Sequence, residues 1–108
     1  MKKNFINVVV KAPGEAAKIT QIENTLEAFQ KIVGGYIETF TIATDCTIVC
    51  NEEGLLIGLP YNCRMFGADF YGTVMLCGVK GEDFCDIGLT NRQLKLLFPS
   101  WFTEGSED

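Results

Sequence analysis

Two adjacent glycines, Gly34 and Gly35, are the first residues in this sequence whose type and spacing suggest chemistry. A phosphate-binding loop places glycines after a strand and before a helix, so that amides at the helix N-terminus face the anion. Here the preceding residues scan as a helix and the following residues as a strand. A helix C-terminus presents carbonyl groups, which repel phosphate. We therefore predict that the pair ends a helix, because glycine adopts the left-handed conformation without a steric penalty.

Adjacent carboxylates in the stretch "NEEG", Glu52 and Glu53, suggest metal binding or acid–base catalysis. Asn51 and Gly54 beside them are typical turn residues, and no regularly spaced oxygen ligand follows before Asp69. We interpret the stretch as a hairpin turn and predict no metal site.

The five cysteines carry no zinc or catalytic signature, because no two are separated by two residues and the chain has no histidine. Most lie in apolar runs, which predicts reduced core thiols in an intracellular protein without a cofactor. Cys63 alone has an adjacent cation, Arg64, that would lower its pKa. We nevertheless expect this thiol to be unreactive.

Aromatic residues are concentrated between positions 61 and 71, where they could stack on bases or on a flat ligand. No basic groove accompanies them, so we expect them to line the core or a pocket. The four rings are Tyr61, Phe66, Phe70 and Tyr71. Trp101 and Phe102 follow the proline that ends the last helix, and we expect them to fold back onto the core, with an exposed partner-binding patch as the alternative.

The elements that hold these residues form an α+β pattern in a single small domain. A chain of 108 residues with 47% apolar composition has room for one core and should fold unaided. We predict a mostly antiparallel or mixed sheet with two short helices, at about 24–33 and 90–98. Residues 103–108 are expected to form a disordered acidic tail of the domain 1–108.

Capping signals place both helices. Asn24 with Glu27, and Thr90 with Gln93, have the spacing of a capping box. For the first helix a longer alternative starting near Ala16 stays open, because apolar residues continue at steps of three and four.

Strands are predicted from β-branched and apolar runs bounded by turn residues. The run after position 46 is interpreted as a hairpin in which a buried strand, the polar turn "NEEG" and a return strand end at Pro60. Residues 61–72 read as an irregular loop or one helical turn. The remaining predicted strands are "FINVVVK", "AKITQIE", "YIETFTI" and the central "GTVMLCGVKG".

The net charge of −5 opposes a surface that follows nucleic-acid phosphates. Three of the acids lie in the last six residues, and without them 11 acids face 9 bases. We therefore expect no direct nucleic-acid binding. No apolar run of about 18 residues and no signal peptide is recognised, which predicts a cytoplasmic protein without membrane contact.

Several strings occur together in the order seen in one family: "PGE" after the first strand, "KIVGGYIE", "IVCNEEGLLIGLPYN" and "YGTVMLCG". Over about residues 5–98 the chain resembles a bacterial and phage family of unknown function, the DUF3846 domain. The resemblance implies a small intracellular domain of Gram-positive bacteria, their phages and mobile elements, and it implies no catalytic residues. The chain departs from the family in its cysteine count and in the stretch "CRMFGADFYG". The matching positions are Gly34, Gly35, Tyr36, Glu38, Asn51, Glu52, Gly54, Pro60 and Asn62.

Three of these matching residues, Tyr36, Glu38 and Asn62, have no evident role in folding. A carboxylate within a strand, such as Glu38, is costly to bury unless a donor meets it, and Asn62 or Arg64 could supply that donor. These four residues are therefore the predicted ligand- or partner-binding site.

The function predicted first is a noncatalytic binding or interaction module of phage or mobile-element origin, with an unknown protein or small molecule as partner. A small enzyme is the second hypothesis, with Glu38 as general acid or base beside Tyr36 and Arg64. An acidic regulator or DNA mimic is the third. Because no recognisable combination of catalytic residues is present, we favour the binding module.

Overall fold

The structure, a computed structural model, describes residues 4–101. Phe102 and the predicted tail of residues 103–108 lie outside the described residues. No helix in the described part of the chain is long and apolar enough to cross a membrane. The elements are β1 (Phe5–Lys11), β2 (Lys18–Glu23), α1 (Leu26–Val33), β3 (Ile37–Ala43), β4 (Cys46–Asn51), β5 (Tyr61–Met65), β6 (Ala68–Tyr71), β7 (Val74–Lys80), β8 (Asp83–Cys85), α2 (Asn91–Leu97) and a short 3-10 helix (Pro99–Trp101).

The main sheet is antiparallel, with the strand order β2-β1-β7-β4-β3 and with β8 paired to β7. Strands β5 and β6 form a separate antiparallel hairpin. The prediction of an α+β fold with two short helices is confirmed. The prediction of a central strand in "GTVMLCGVKG" is also confirmed, since β7 lies between β1 and β4 and its first five residues are buried.

The sheet is the middle of three layers. On one face, Phe29 and Val33 of α1 pack into a buried cluster with Val8, Val49 and Met75 of the sheet. The opposite face is covered by the β5–β6 hairpin and by the C-terminal helices, in a second cluster that contains the alternate strand residues. Because successive strand residues point to opposite faces, both clusters draw on the same strands.

The C-terminal end of the described chain is part of this second cluster. Trp101 is fully buried there, and its carbonyl oxygen accepts a hydrogen bond from the amide of Ala17. The prediction that Trp101 folds back onto the core is therefore confirmed.

The N-cap of helix α1 is one residue later than predicted. The side chain of Thr25, not of Asn24, accepts the hydrogen bond from the amide of Ala28. Asn24 instead donates its side-chain amide to the carbonyl oxygen of Phe84, at 3.0 Å, which ties the helix entry to β8. The predicted Asn24–Glu27 cap is wrong because this long-range bond uses the Asn24 side chain.

The other local helix signals are confirmed. Gly34 ends α1 in the left-handed conformation, with φ of 83°, as expected for a glycine stop. Thr90 and Gln93 form the predicted capping box of α2. The longer first helix from Ala16 is wrong, because residues 18–23 pair with β1 as a strand.

The predicted return strand before Pro60 is absent from the structure. Strand β4 is already paired on one side with β3 and on the other with β7, so neither edge is free for a returning strand. Residues 52–58 instead form successive turns. After Glu52 the backbone bonds of this segment are local, with the amide of Ile57 donating to the carbonyl oxygen of Glu53 and that of Leu59 to the carbonyl oxygen of Gly54.

Residues 61–72, predicted as a loop or helical turn, form the β5–β6 hairpin. The paired residues Met65 and Ala68 enclose a two-residue turn, in which Phe66 and Gly67 have φ of 52° and 79°. Positive φ at both positions is typical of a type I′ hairpin turn, in which the first position usually holds asparagine, aspartate or glycine. Because phenylalanine is unusual at that position, the sequence did not indicate a hairpin turn there.

Candidate functional site

A cleft of about 220 Å³ lies between β3 and β4 on one side and β6 on the other. We call it the β3–β6 cleft. Its chemistry is set by three carboxylates and three aromatic rings, on Glu38, Phe40, Glu52, Asp69, Phe70 and Tyr71. It opens on the sheet face that the β5–β6 hairpin covers.

Glycine at position 54 allows the two walls of the cleft to approach each other. A Cβ atom at Gly54 would lie 2.7 Å from the carbonyl oxygen of Tyr71, closer than real Cβ contacts allow. The turn after β4 therefore passes directly over the end of β6, which closes one end of the cleft. This is a physical reason for glycine in "NEEG" beyond its frequency in turns.

Two aromatic side chains of the cleft pack against each other. The rings of Phe40 and Phe70 meet edge to face, with centroids 5.8 Å apart, and Phe70 is buried. Such pairs add about 0.5–1.5 kcal/mol beyond the burial of their apolar area. The cleft therefore has an apolar floor that does not depend on a ligand.

The carboxylates differ in whether nearby side chains donate hydrogen bonds or ion pairs to them. Asp69 accepts hydrogen bonds from Arg64, at 3.0 Å, and from the Tyr61 hydroxyl, at 3.1 Å. Glu38 and Glu52 have no ion pair or side-chain hydrogen bond within residues 4–101. Two uncompensated negative charges therefore border the cleft. The described part of the chain contains no group of three or more histidine, cysteine, aspartate or glutamate side chains that could hold a metal ion.

Of the four predicted site residues, only Glu38 lines the cleft. Tyr36 directly precedes β3 and is 70% exposed. Arg64 does not line the cleft, but it forms an ion pair with Asp69, which does. The structure therefore does not bring the predicted set together in one pocket.

The donors predicted for Glu38 serve other acceptors. Asn62 donates its side-chain amide to the carbonyl oxygens of Lys11 and Gly72, both at 2.8 Å. Arg64 binds Asp69. The predicted contact of Glu38 with Asn62 or Arg64 is therefore wrong. Glu38 is solvent-exposed and needs no buried partner.

The thiols near the cleft are held in the neutral form. Burial, followed by the negative charge of Glu38, raises the pKa of Cys50 to about 11. Burial also raises the pKa of Cys63, and the opposing effect of the Lys11 charge is smaller. All five cysteines are free, and Cys46, Cys50 and Cys77 are buried. The raised pKa values make Cys50 and Cys63 weak nucleophiles at neutral pH.

An exposed aliphatic loop borders the cleft. Residues 54–58 include Leu55, Leu56 and Ile57, which are 65%, 83% and 55% exposed, and Leu55 lines the cleft itself. We call residues 54–58 the aliphatic loop. The sequence analysis missed this loop because its three consecutive apolar residues were interpreted as part of the return strand that ends at Pro60.

Asp69 was also missed, although a signal for it exists. Arg64 and Asp69 are equidistant from the Phe66–Gly67 turn and pair directly across the hairpin. Opposite charges at symmetric positions around a two-residue turn are typical of a cross-strand pair.

The structure is a small α+β domain with an acidic, aromatic-lined cleft. The sequence model of a family described as a domain of unknown function, DUF3846, matches residues 6–100. The chain therefore belongs to the DUF3846 family, and the predicted family is confirmed. No curated protein matches the chain, and no solved structure matches it.

Proposed function

We propose that the chain is a noncatalytic protein-interaction module that binds its partner at the aliphatic loop and the adjoining β3–β6 cleft. The observation that carries the proposal is the exposure of Leu55, Leu56 and Ile57 in consecutive positions. Single exposed apolar residues are ordinary, whereas a contiguous group beside a cleft is typical of a protein contact.

The aliphatic loop is preorganised for contact. The Asn51 side chain accepts a hydrogen bond from the amide of Glu53 at 2.7 Å and donates one to the carbonyl oxygen of Val33. Beyond it, the amide of Leu59 donates to the carbonyl oxygen of Gly54 at 2.9 Å. A loop fixed at both ends loses little conformational entropy on binding, which favours affinity.

Binding is favoured over catalysis by the same geometry. Tyr36, Glu38 and Arg64 do not surround one pocket, and the chain has no histidine to act as a base near neutral pH. The five free thiols are compatible with the reducing, intracellular environment that the sequence predicts. Phage or mobile-element origin remains a prediction from the family resemblance.

The test is selection of binders from a random peptide library displayed on phage, with purified protein as the target. Selected peptides are then titrated against wild type, Leu56→Ala and Leu96→Ala. Leu96 lies on α2 and is 74% exposed, so it is a matched control for loss of an exposed leucine. We expect Leu56→Ala to weaken binding by roughly 10-fold or more and Leu96→Ala to leave it unchanged.

Both leucines are exposed, so neither variant should shift the free energy of unfolding by more than about 0.5 kcal/mol. Peptides that bind wild type and Leu56→Ala equally would contradict the proposal. A selection that yields no peptide above background would contradict it as well.

A further inference from the structure

The outer edge of β3 is an open hydrogen-bonding surface. The amide of Glu52 donates to the carbonyl oxygen of Tyr36, so Tyr36 and every second residue after it bond inward to β4. The backbone groups of Ile37, Thr39 and Thr41 therefore point away from the sheet. No residue of the described chain pairs with them.

This edge adjoins the proposed binding surface. Glu38, Thr39 and Phe40 of β3 line the β3–β6 cleft, and Leu55 of the aliphatic loop lines the same cleft. A strand added along β3 would place alternate side chains on the cleft face, because directly opposed residues share a face. The open backbone groups and the cleft would thus be used by one extended segment.

The carboxylates beside the β3 edge indicate which residues an added strand should carry. The side chain opposite Glu38 on an added strand would face Glu38 directly and would lie on the side of Glu52 and Asp69. Opposite charges in such pairs stabilise strand pairing, and like charges destabilise it. A second copy of this chain would bring further carboxylates, including its own Glu38, to the same edge, which opposes self-pairing.

We propose that the partner segment binds as an extended peptide that adds an antiparallel strand to β3, with a lysine or arginine opposite Glu38. This inference rests on the proposed interaction function. Every strand pair in the described sheet is antiparallel, which sets the direction. Read from its N-terminus, the peptide carries an apolar residue opposite Phe40, any residue opposite Thr39 and the basic residue opposite Glu38.

Only a short part of β3 can pair with an added strand. A bulge between Thr41 and Ala43 interrupts the register of β3, so the straight part ends at Thr41. Bulges of this kind end strand pairing. The bound segment therefore spans about five residues, from the position opposite Thr41 to the position opposite Ile37.

The experiment uses a seven-residue peptide with uncharged, capped termini. Its third residue is valine, its fifth residue is lysine, and all the other residues are threonine. In the proposed register the fifth residue faces Glu38 and the fourth faces Thr39. Only the second, fourth and sixth peptide amides then bond to β3. N-methylation of the fourth residue should therefore weaken binding by about tenfold, and N-methylation of the fifth should leave it unchanged.

Charge is tested in the same titrations. Replacing the peptide lysine by glutamate should weaken binding roughly fivefold or more, and Glu38→Lys should restore binding of the glutamate peptide. Amide hydrogen exchange followed by NMR should slow at Ile37, Thr39 and Thr41 when the lysine peptide is added. The outward amides of Ile19 and Gln21 on β2, the opposite edge of the sheet, serve as the control and should be unchanged.

The outcomes separate this inference from the proposed function. Equal effects of the two N-methyl groups, or no slowing at β3 with the peptide at about millimolar concentration, would overturn the added strand. If library peptides still bound in a manner that depends on Leu56, the interaction function would stand without it. If no library peptide depended on Leu56, the proposed function itself would fail.

Discussion

Removal of the Asn62 side chain tests whether this residue holds the β5–β6 hairpin to the main sheet. Its side-chain amide donates to the carbonyl oxygens of Lys11 in β1 and Gly72 before β7, both at 2.8 Å and both in buried residues. Each such bond contributes about 1 kcal/mol net. We therefore expect Asn62→Ala to lower the free energy of unfolding by about 2 kcal/mol.

Urea unfolding, followed by the fluorescence of the buried Trp101, measures this loss. With a urea dependence of about 1.5 kcal/mol per molar, the midpoint should fall by roughly 1.3 M. Arg64→Ala, in the same strand, removes only a surface ion pair and should cost less than about 0.5 kcal/mol. An Asn62→Ala midpoint within error of wild type, or equal losses in the two variants, would refute the structural role. If the role holds, any binding defect of an Asn62 variant must be corrected for stability.

Three further predictions concern local features. Thr90→Ala removes the capping box of α2 and should destabilise the fold by about 1 kcal/mol in urea titration, and equal stability would contradict the cap. Phe66→Asn should relieve the positive φ of the hairpin turn and raise the thermal midpoint slightly, and a lower midpoint would show that ring packing there outweighs strain. Burial raises the pKa values of Cys46 and Cys50 to about 11 and that of Cys77 to about 12. As the pH rises, these thiols therefore lose their protons in the unfolded chain before they do so in the folded chain. The free energy of unfolding should accordingly fall between pH 9 and pH 11. Serine at all three positions should flatten that part of the pH profile, and an unchanged slope would assign it to other groups.

Features that depend on a few neighbouring residues could be predicted from the sequence. The glycine stop at Gly34 and the capping box at Thr90 involve hydrogen bonds within one helical turn, so spacing alone identifies them. The cap at Asn24 satisfied the same rule and was wrong, because the Asn24 amide bonds to Phe84 sixty residues away. Local patterns cannot show when a distant acceptor competes for a side chain.

The misassigned return strand has a similar cause. Turn residues in "NEEG" predict a reversal correctly, but whether a strand follows depends on a free edge of β4. That edge is occupied by β7, which lies more than twenty residues further along the chain. For the candidate site, Glu38 was identified because nothing in folding explained it, whereas Asp69 and Leu56 became visible only once β6 and the aliphatic loop were placed beside β3.

The position of β7 has a consequence for how the chain acquires its structure during synthesis. The β1–β2 and β3–β4 pairs are complete by Asn51, yet they share no strand pairing with each other. Within the sheet both are joined only by β7, which ends at Lys80. The α1 side chains that also bridge them share a buried cluster with Met75 of β7. Isolated two-stranded units are marginally stable in water, so the first 73 residues are expected to lack a stable core on the ribosome. Folding should then occur late and in one cooperative step, and the exposed hairpins make the nascent chain a substrate for chaperones until β7 emerges.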